Sequence, residues 1–488
     1  MTTSYKNTAS SLSGKVLIDG KIIPALSSKT TPVINPATMD KIGHIIECEN
    51  DDVDRAIKSS HKAQKLWAAM KASERGKLVS QCGDILTKHA EELSKLMSYE
   101  TGKALRTESR VELNVIADTY KFYGGLALEL KGETIPFDPN MLTLTIREPH
   151  GVVGAIVPWN VPLMLMSMKV APALVAGNTV VLKAPPESTF CVLRASELMN
   201  EILPPGVLNV ITGDSIAGSL LVAHPDVNKV SFTGSVEAGR SVYQAAAKKL
   251  IPVTLELGGK SPYIICEDAN LEAAATSIIE GMRFTRQGQS CSASTRIFIH
   301  EAIHDKLVDQ LLALLNKMVI GDPMDEKTDI GSVISQQQFD RIKYFMDKAK
   351  SDPKLKIHYG CKLPDGNGLF AHPALITGLT NENEICQEEI FGPVAAIVKW
   401  NDFDEVIKAA NDVKYGLAAG IWTRDISKAL QAAHRMEAGF VQVNQYIVYR
   451  PGLPFGGFKN SGIGKEASLN AMLDNYTKEK TIIINMVQ

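Results

Sequence analysis

Almost everything that would tie this chain to a membrane, a nucleic acid or a disulfide framework is missing from its sequence. No apolar run among the 488 residues is long enough to cross a bilayer, and the Ser/Thr-rich stretch Met1 to Gly14 lacks the apolar centre of a signal peptide. A net charge of -2 gives no electrostatic case for nucleic acid or an anionic lipid surface. The seven cysteines are an odd number without a C-x-x-C pair, which argues against a disulfide scaffold and against a cysteine-held zinc. His224, His300, His372 and the remaining histidines show no ligand spacing, so no catalytic metal is expected. Internal repeats and low-complexity tracts are also absent. A reduced, cytoplasmic protein without nucleic-acid or membrane partners is the simplest expectation.

What is present is ordinary globular composition, 45% hydrophobic and 22% charged, in a chain long enough for about two or three domains. Lys15 to Ile34 reads as short strands turning at Asp19-Gly20. Asp51 to Ala69, Ala72 to His89 and Arg106 to Glu129 have apolar residues at helical spacing, with Asp51 and Ser73 as N-caps. Met141 to Glu148 alternates like half of an exposed hairpin. From Gly151 the pattern changes. Apolar runs at Val152 to Val157, Thr179 to Leu182, Val207 to Ile211, Lys229 to Phe232 and Val253 to Leu255 alternate with helical stretches. That alternation predicts a parallel, doubly wound α/β sheet. A second α/β unit follows Gly258, with strands near Tyr263, Arg296, Val394, Ala419 and Phe440. Asp322 to Gly368, more charged and irregular, reads as a surface excursion. Thr477 to Met486 alternates weakly and is expected to pair with an edge strand.

The segment Gly281 to Cys291 stands out. It joins a helical stretch (Leu271 to Glu280) to a β-branched run (Ser294 to Ile299), and its glycines let backbone approach a ligand closely. A thiol on such a loop has the makings of a covalent nucleophile, although most cysteines of a reduced chain are small core hydrophobes. Other short signals are weak alone. Gly234 to Gly239 is only a partial glycine-rich fingerprint, a lysine at a strand end such as Lys183 is more often solvated than a phosphate or ribose ligand, and Glu256 also reads as a cap for the following segment.

Their order is more specific than any one of them: Pro-Trp-Asn at 158–160, Lys183, Phe-Thr-Gly-Ser at 232–235, Glu-Leu-Gly-Gly-Lys at 256–260, Gly-Gln-Ser-Cys at 288–291, Glu-Ile-Phe-Gly-Pro at 389–393 and Pro-Phe-Gly-Gly at 454–457. From about residue 15 to the end, the chain resembles the NAD(P)-dependent aldehyde dehydrogenase superfamily of the hydrolytic, non-acylating type. The resemblance implies a Rossmann-type nucleotide-binding domain (15–126 and 149–257), a second α/β catalytic domain (258–464) and a small β oligomerisation element (127–148 and 465–488).

It also implies roles. Cys291 matches the nucleophile that attacks the aldehyde carbon, and Glu256 the base that activates the deacylating water. Asn160 matches the amide that stabilises the oxyanion together with the Cys291 N–H; Lys169 lies on a position near the site. Cofactor contacts fall on Val157, Pro158, Trp159, Lys183, Pro186, Glu187, Gly213, Phe232, Thr233, Gly234, Ser235, Leu257, Gly258, Glu389 and Phe391; Gly239 is a neighbouring position. Two departures matter. Many NAD-preferring relatives carry a Glu three residues after the lysine, where this chain has Pro186, with Glu187 one step later. NAD is the expected cofactor, and NADP is the alternative that Pro186 leaves open. Val161 and Met168 replace residues that are aromatic in some relatives, while Tyr449 and Phe455 stay aromatic. That suggests a wide apolar tunnel for a bulky aromatic, terpenoid or medium-chain aldehyde. Arg283, Arg286 and Arg450 are packing arginines or, in a semialdehyde dehydrogenase, grips for a substrate carboxylate. The rival readings are a catalytically silent binding relative and a nucleotide-independent thioesterase. A homodimer or homotetramer is expected, because strands such as Met141 to Glu148 would be sticky edges if left unpaired.

Overall fold

The computed structural model describes residues 4–360, 366–446 and 449–487. Residues 1–3 of the polar N-terminal stretch and 361–365 of the charged segment lie outside the described residues. Strands Val152–Ile156, Thr179–Lys183, Leu208–Ile211, Lys229–Thr233 and Val253–Glu256 form the parallel centre of an eight-stranded sheet. In space they run third, second, first, fourth, fifth: Val152–Ile156 pairs with both Thr179–Lys183 and Lys229–Thr233. The order reverses beside the first strand, and a crevice opens there beyond the carboxyl ends. Apolar clusters cover both faces, which is why these strands read as continuous apolar runs rather than alternating ones. Lys15–Ile18 and Lys21–Pro24 close one edge antiparallel, through a turn whose Asp19 and Gly20 both take positive φ. Gly462–Ile463 closes the other.

The second sheet has seven strands, with Pro262–Ile265, Arg296–His300, Val394–Trp400, Ala374–Thr377, Ala418–Trp422 and Phe440–Val443 parallel and Lys356–Tyr359 antiparallel at one end. Met141–Pro149 and Thr477–Asn485 pair with each other over nine positions to form a separate two-stranded ribbon. The last strand thus finds its edge within its own chain.

Three sequence expectations need correction. Asp322 to Gly368 is not a mere surface excursion. Gln336–Ser351 is a helix that buries Ile342, Phe345, Met346 and Ala349 against the second core, and Lys356–Tyr359 is a strand. Asp51 and Ser73 lie inside their helices rather than at the caps, which fall on Glu49 and Lys71 without side-chain hydrogen bonds. The helix expected over 106–129 is broken, with a π-helical turn at Leu105–Ser109, an α-helix at Arg110–Gly125 and a 3-10 turn at Leu126–Glu129; a further helix, Ala90–Thr101, precedes it.

Candidate active site

The crevice at the strand reversal is a cleft of about 510 Å³. Val157, Pro158 and Trp159 continue the first strand into it, and Phe232, Thr233, Gly234 and Ser235 the fourth; Lys183, Pro186 and Glu187 line it from the second. Ser235 caps helix Val236–Ala247, its Oγ accepting from Ala238 N (3.2 Å), so the helix N-terminus faces the cleft. Gly234 admits no side chain, because a Cβ there would lie 2.5 Å from the Phe232 ring. Lys183 is buried and its Nζ donates to Gly213 O (3.1 Å), the residue before Asp214 of the cleft wall. Burial pulls the Lys183 ammonium pKa down, against the opposing pull of Glu187 and Asp214. Glu187, half-buried on the turn Pro186–Ser188, is pushed up by burial and held back by Lys183. The Glu187 carboxyl and the Lys183 ammonium are therefore neighbours in one cleft, although sequence spacing set them a residue off the familiar pattern. Thr233 Oγ1 is buried with no hydrogen-bond partner among the described residues. A helix N-terminus, a close-approach glycine, a buried lysine and an unused hydroxyl fit the phosphate and ribose of a dinucleotide.

The second group gathers where the two sheets meet. Helix Leu271–Gly281 runs into a 3-10 turn, Phe284–Arg286, bracketed by Arg283 and Gln287 at φ 52° and 57°, and Cys291 follows before strand Arg296–His300. Asn160 is buried, and its Nδ2 donates to Gln289 O (3.2 Å), joining the end of the first strand to the Cys291 loop. Burial raises the Cys291 thiol to about 12, and the charges of Glu389 and Glu256 push the same way. Glu256 ends strand Val253–Glu256, is buried, and has neither carboxyl oxygen hydrogen-bonded among the described residues. It is therefore no cap. Its pKa is raised far above the usual range by burial and then by Glu466, against Lys169 and Lys465. Gly456 passes so close that a Cβ would meet Glu256 Oε1 at 2.6 Å.

Glu389 accepts from Gly259 N (2.9 Å) and is raised to about 7, chiefly by burial. A Cβ on Gly258 would lie 2.1 Å from its other oxygen. Phe391 meets Trp159 edge to face at 5.4 Å, linking this group to the cleft. Leu257 N donates to Ser461 O (2.9 Å), and its side chain packs where a Cβ on Gly239 would intrude.

Val161 and Met168 are buried in the first core, with Tyr449 and Phe455 packed against it. Arg286 is engaged: its Nε donates to buried Glu108 Oε2 (2.6 Å). Arg283 is half-buried on the same loop, and Arg450 is exposed. Sequence reasoning missed four buried acids and bases. Glu466 pairs with Lys169 (2.6 Å), while Glu108, Lys103 and Glu112 brace the two site segments. No short motif carries them, and the partners of Lys169 and Glu108 lie more than 170 residues away in sequence. Cys266, Glu267 and Asp268 cluster elsewhere, but Asp268 accepts from Thr423 Oγ1 and the N–H groups of Arg424 and Asp425, and Glu267 pairs with Lys428.

By fold and site this is a two-sheet α/β protein with a dinucleotide-type cleft leading to a half-buried cysteine and a buried carboxyl. Residues 23–482 match the aldehyde dehydrogenase family. The chain is 39% identical to aldehyde dehydrogenase family 2 member B4, mitochondrial, of Arabidopsis thaliana, over 96% of this chain and 88% of that one. It is 38% identical to retinaldehyde dehydrogenase 3 of Mus musculus, over 97% and 93%. The NAD+ complex of an aldehyde dehydrogenase from Bacillus cereus superposes with a TM-score of 0.94 at 36% identity, covering 97% of both chains. Betaine aldehyde dehydrogenase from Staphylococcus aureus in complex with NAD+ gives 0.93 at 36%, covering 99% of this chain and 98% of that one. The chain belongs to the aldehyde dehydrogenase family.

Proposed function

We propose that the protein oxidises an aldehyde to its carboxylic acid with NAD, through a cysteine thiohemiacetal and thioester. The observation that carries this reading is Glu256, a buried carboxyl with no hydrogen-bond partner among the described residues, whose charge is felt at Cys291. An unpartnered buried carboxyl is costly to keep unless it has work to do. The Cys291 thiol releases its proton to solvent as the sulfur attacks the aldehyde carbon, and the oxyanion that forms is bound by the Asn160 amide and the Cys291 N–H, a contribution of roughly 3 kcal/mol per donor. Bound NAD supplies the hydride acceptor for the next step. Glu256 then takes a proton from water as the water oxygen attacks the thioester; the acid leaves and Cys291 is restored as the thiol. Burial and the neighbouring Glu466 raise the Glu256 pKa, so once ionised it is a stronger base for that transfer than an exposed carboxylate.

The cofactor choice rests on Glu187. Its carboxyl lines the cleft beside Lys183, where it supports NAD and would repel a 2′-phosphate. For the substrate we propose a bulky apolar aldehyde, supported by the buried aliphatic pair Val161 and Met168 and by the likeness to a retinaldehyde dehydrogenase. The engagement of Arg286 by Glu108 speaks against a carboxylate grip on that loop. The same reading divides the chain into the nucleotide-binding, catalytic and oligomerisation parts given above, with subunits paired into a dimer or tetramer. It places the protein in the reducing cytoplasm, in keeping with six described cysteines that are all free. Among the described residues no helix is long and apolar enough to cross a membrane.

The test is absorbance at 340 nm with octanal, benzaldehyde, betaine aldehyde and succinic semialdehyde, each with NAD and with NADP. Faster reduction of NAD by octanal or benzaldehyde is expected. A preference for succinic semialdehyde would restore the carboxylate grip, and silence across the panel would leave the non-catalytic reading. Glu256→Gln is expected to keep a single-turnover burst of reduced cofactor while steady turnover falls about 10²–10⁴-fold; loss of the burst as well would sink the assigned role.

A further inference from the structure

The π-helical turn Leu105–Ser109 separates helix Ala90–Thr101 from helix Arg110–Gly125. Single π turns are uncommon and are often kept at functional sites. This one carries or adjoins three buried ionisable side chains, Lys103, Glu108 and Glu112. Lys103 Nζ donates to Glu112 Oε2 (2.5 Å) and to the backbone oxygen of Asn160 (3.1 Å). Glu112 Oε1 accepts from Leu163 N and Met164 N, both at 3.0 Å, in the first turn of helix Pro162–Val175. The ion pair therefore holds the backbone on both sides of Val161. Glu108 reaches the other way, accepting from Thr285 Oγ1 and from Arg286 Nε on the Cys291 loop. Asn160 Nδ2 to Gln289 O closes the circuit.

A buried ion pair is weak evidence for stability, since apolar residues of similar volume generally serve as well or better. Its presence here calls for a geometric reason. The Asn160 amide nitrogen has two N–H groups. One is given to Gln289 O, and the backbone that Lys103 grips determines where the other can point.

We propose that Lys103 and Glu112 are positioning residues for the oxyanion-binding amide of Asn160, mounted on a π-helical segment that Glu108 fixes against the Cys291 loop. Neither residue touches the reacting atoms. The inference deepens the function proposed above and rests on its assignment of Asn160 and Cys291.

Two reagents that attack the same sulfur separate positioning from general loosening. 4-Nitrophenyl acetate acylates Cys291: the sulfur bonds to the acyl carbon, an oxyanion forms, and its collapse expels 4-nitrophenolate and leaves a thioester. Iodoacetamide alkylates the sulfur with loss of iodide and forms no oxyanion. Lys103→Met is expected to slow the nitrophenolate burst about 10- to 100-fold, less than the roughly 10²–10³-fold of deleting an oxyanion donor, because the amide is misplaced and not removed, and to leave alkylation within about twofold. In an Asn160→Ala background the same change is expected to slow the burst less than about threefold, since coupled residues do not add. Because Lys103→Met strands the Glu112 carboxylate, Lys103→Met with Glu112→Gln is measured beside it; the neutral pair keeps an acceptor for Leu163 N and Met164 N and is expected to show the same split. Equal slowing of both reagents, or additive losses in the two backgrounds, would overturn the proposal. If Asn160→Ala alone left the burst unchanged, the oxyanion assignment would fall and the positioning role with it. A clear Asn160 effect with additive Lys103 losses would remove the positioning role alone.

Discussion

Burial that pushes the Cys291 thiol to about 12 leaves roughly one molecule in 10⁵ as thiolate at neutral pH in the free protein. The charges of Glu389 and Glu256 work in the same direction, and a bound positive ring would work against it. A raised thiol pKa means that reactivity grows as pH rises and has no plateau until the pKa is reached. Iodoacetamide alkylation of the free protein, followed by the difference from Cys291→Ala, is therefore expected to quicken about tenfold per pH unit from 7 to 10. A plateau below pH 8 would mean that some group unseen in this balance already ionises the thiol. The difference measurement matters because Cys48, Cys82, Cys191, Cys266 and Cys386 are free too, although buried, and Cys361 lies outside the described residues.

At the scale of elements, Lys169 joins helix Pro162–Val175 to the segment that leads into helix Leu469–Tyr476. Its Nζ meets Glu466 Oε1 at 2.6 Å with both side chains buried, and Ser231 Oγ donates to the same oxygen. Lys169→Met strands the carboxylate and is expected to destabilise by about 3–5 kcal/mol, lowering the thermal midpoint by roughly 3–5 °C. Lys169→Met with Glu466→Gln should recover most of that loss; a double variant no better than the single would show that the charge is not the cause. This pairing also marks where sequence stops being informative. Strands such as Thr179–Lys183 were legible because burial on both faces demands an unbroken apolar run, and the strand-end residues of the cleft were legible because parallel sheets put ligands there. Helix Gln336–Ser351 was not, since its buried stripe of Ile342, Phe345, Met346 and Ala349 is threaded through lysines, aspartates and glutamines that face water. Glu466 and Lys169 are 297 residues apart, and no local pattern records a contact of that range.

On the scale of the whole molecule, the two sheets meet at Cys291 and Glu256, while the ribbon of Met141–Pro149 and Thr477–Asn485 stands apart from both. Each ribbon strand covers one edge of the other, and the alternation leaves Leu142, Leu144, Ile482 and Ile484 on a common face. Ile484 is 43% and Leu142 38% exposed, with Met486, just past the strand, more exposed still at 63%. An apolar ribbon face of this kind, on a two-stranded element too small to be stable alone, is a surface that the proposed subunit pairing would cover. If the proposed dimer or tetramer forms through this ribbon, a charge in the face has to be desolvated at each interface. Ile484→Lys is then expected to weaken association at least 100-fold, since an unpaired buried ammonium costs several kcal/mol. Sedimentation velocity at micromolar protein would show the mass fall toward the single chain, with the circular dichroism of the fold retained. An unchanged mass would free the ribbon from the interface and move the search to the outer edge of strand Phe440–Val443, the end of the second sheet.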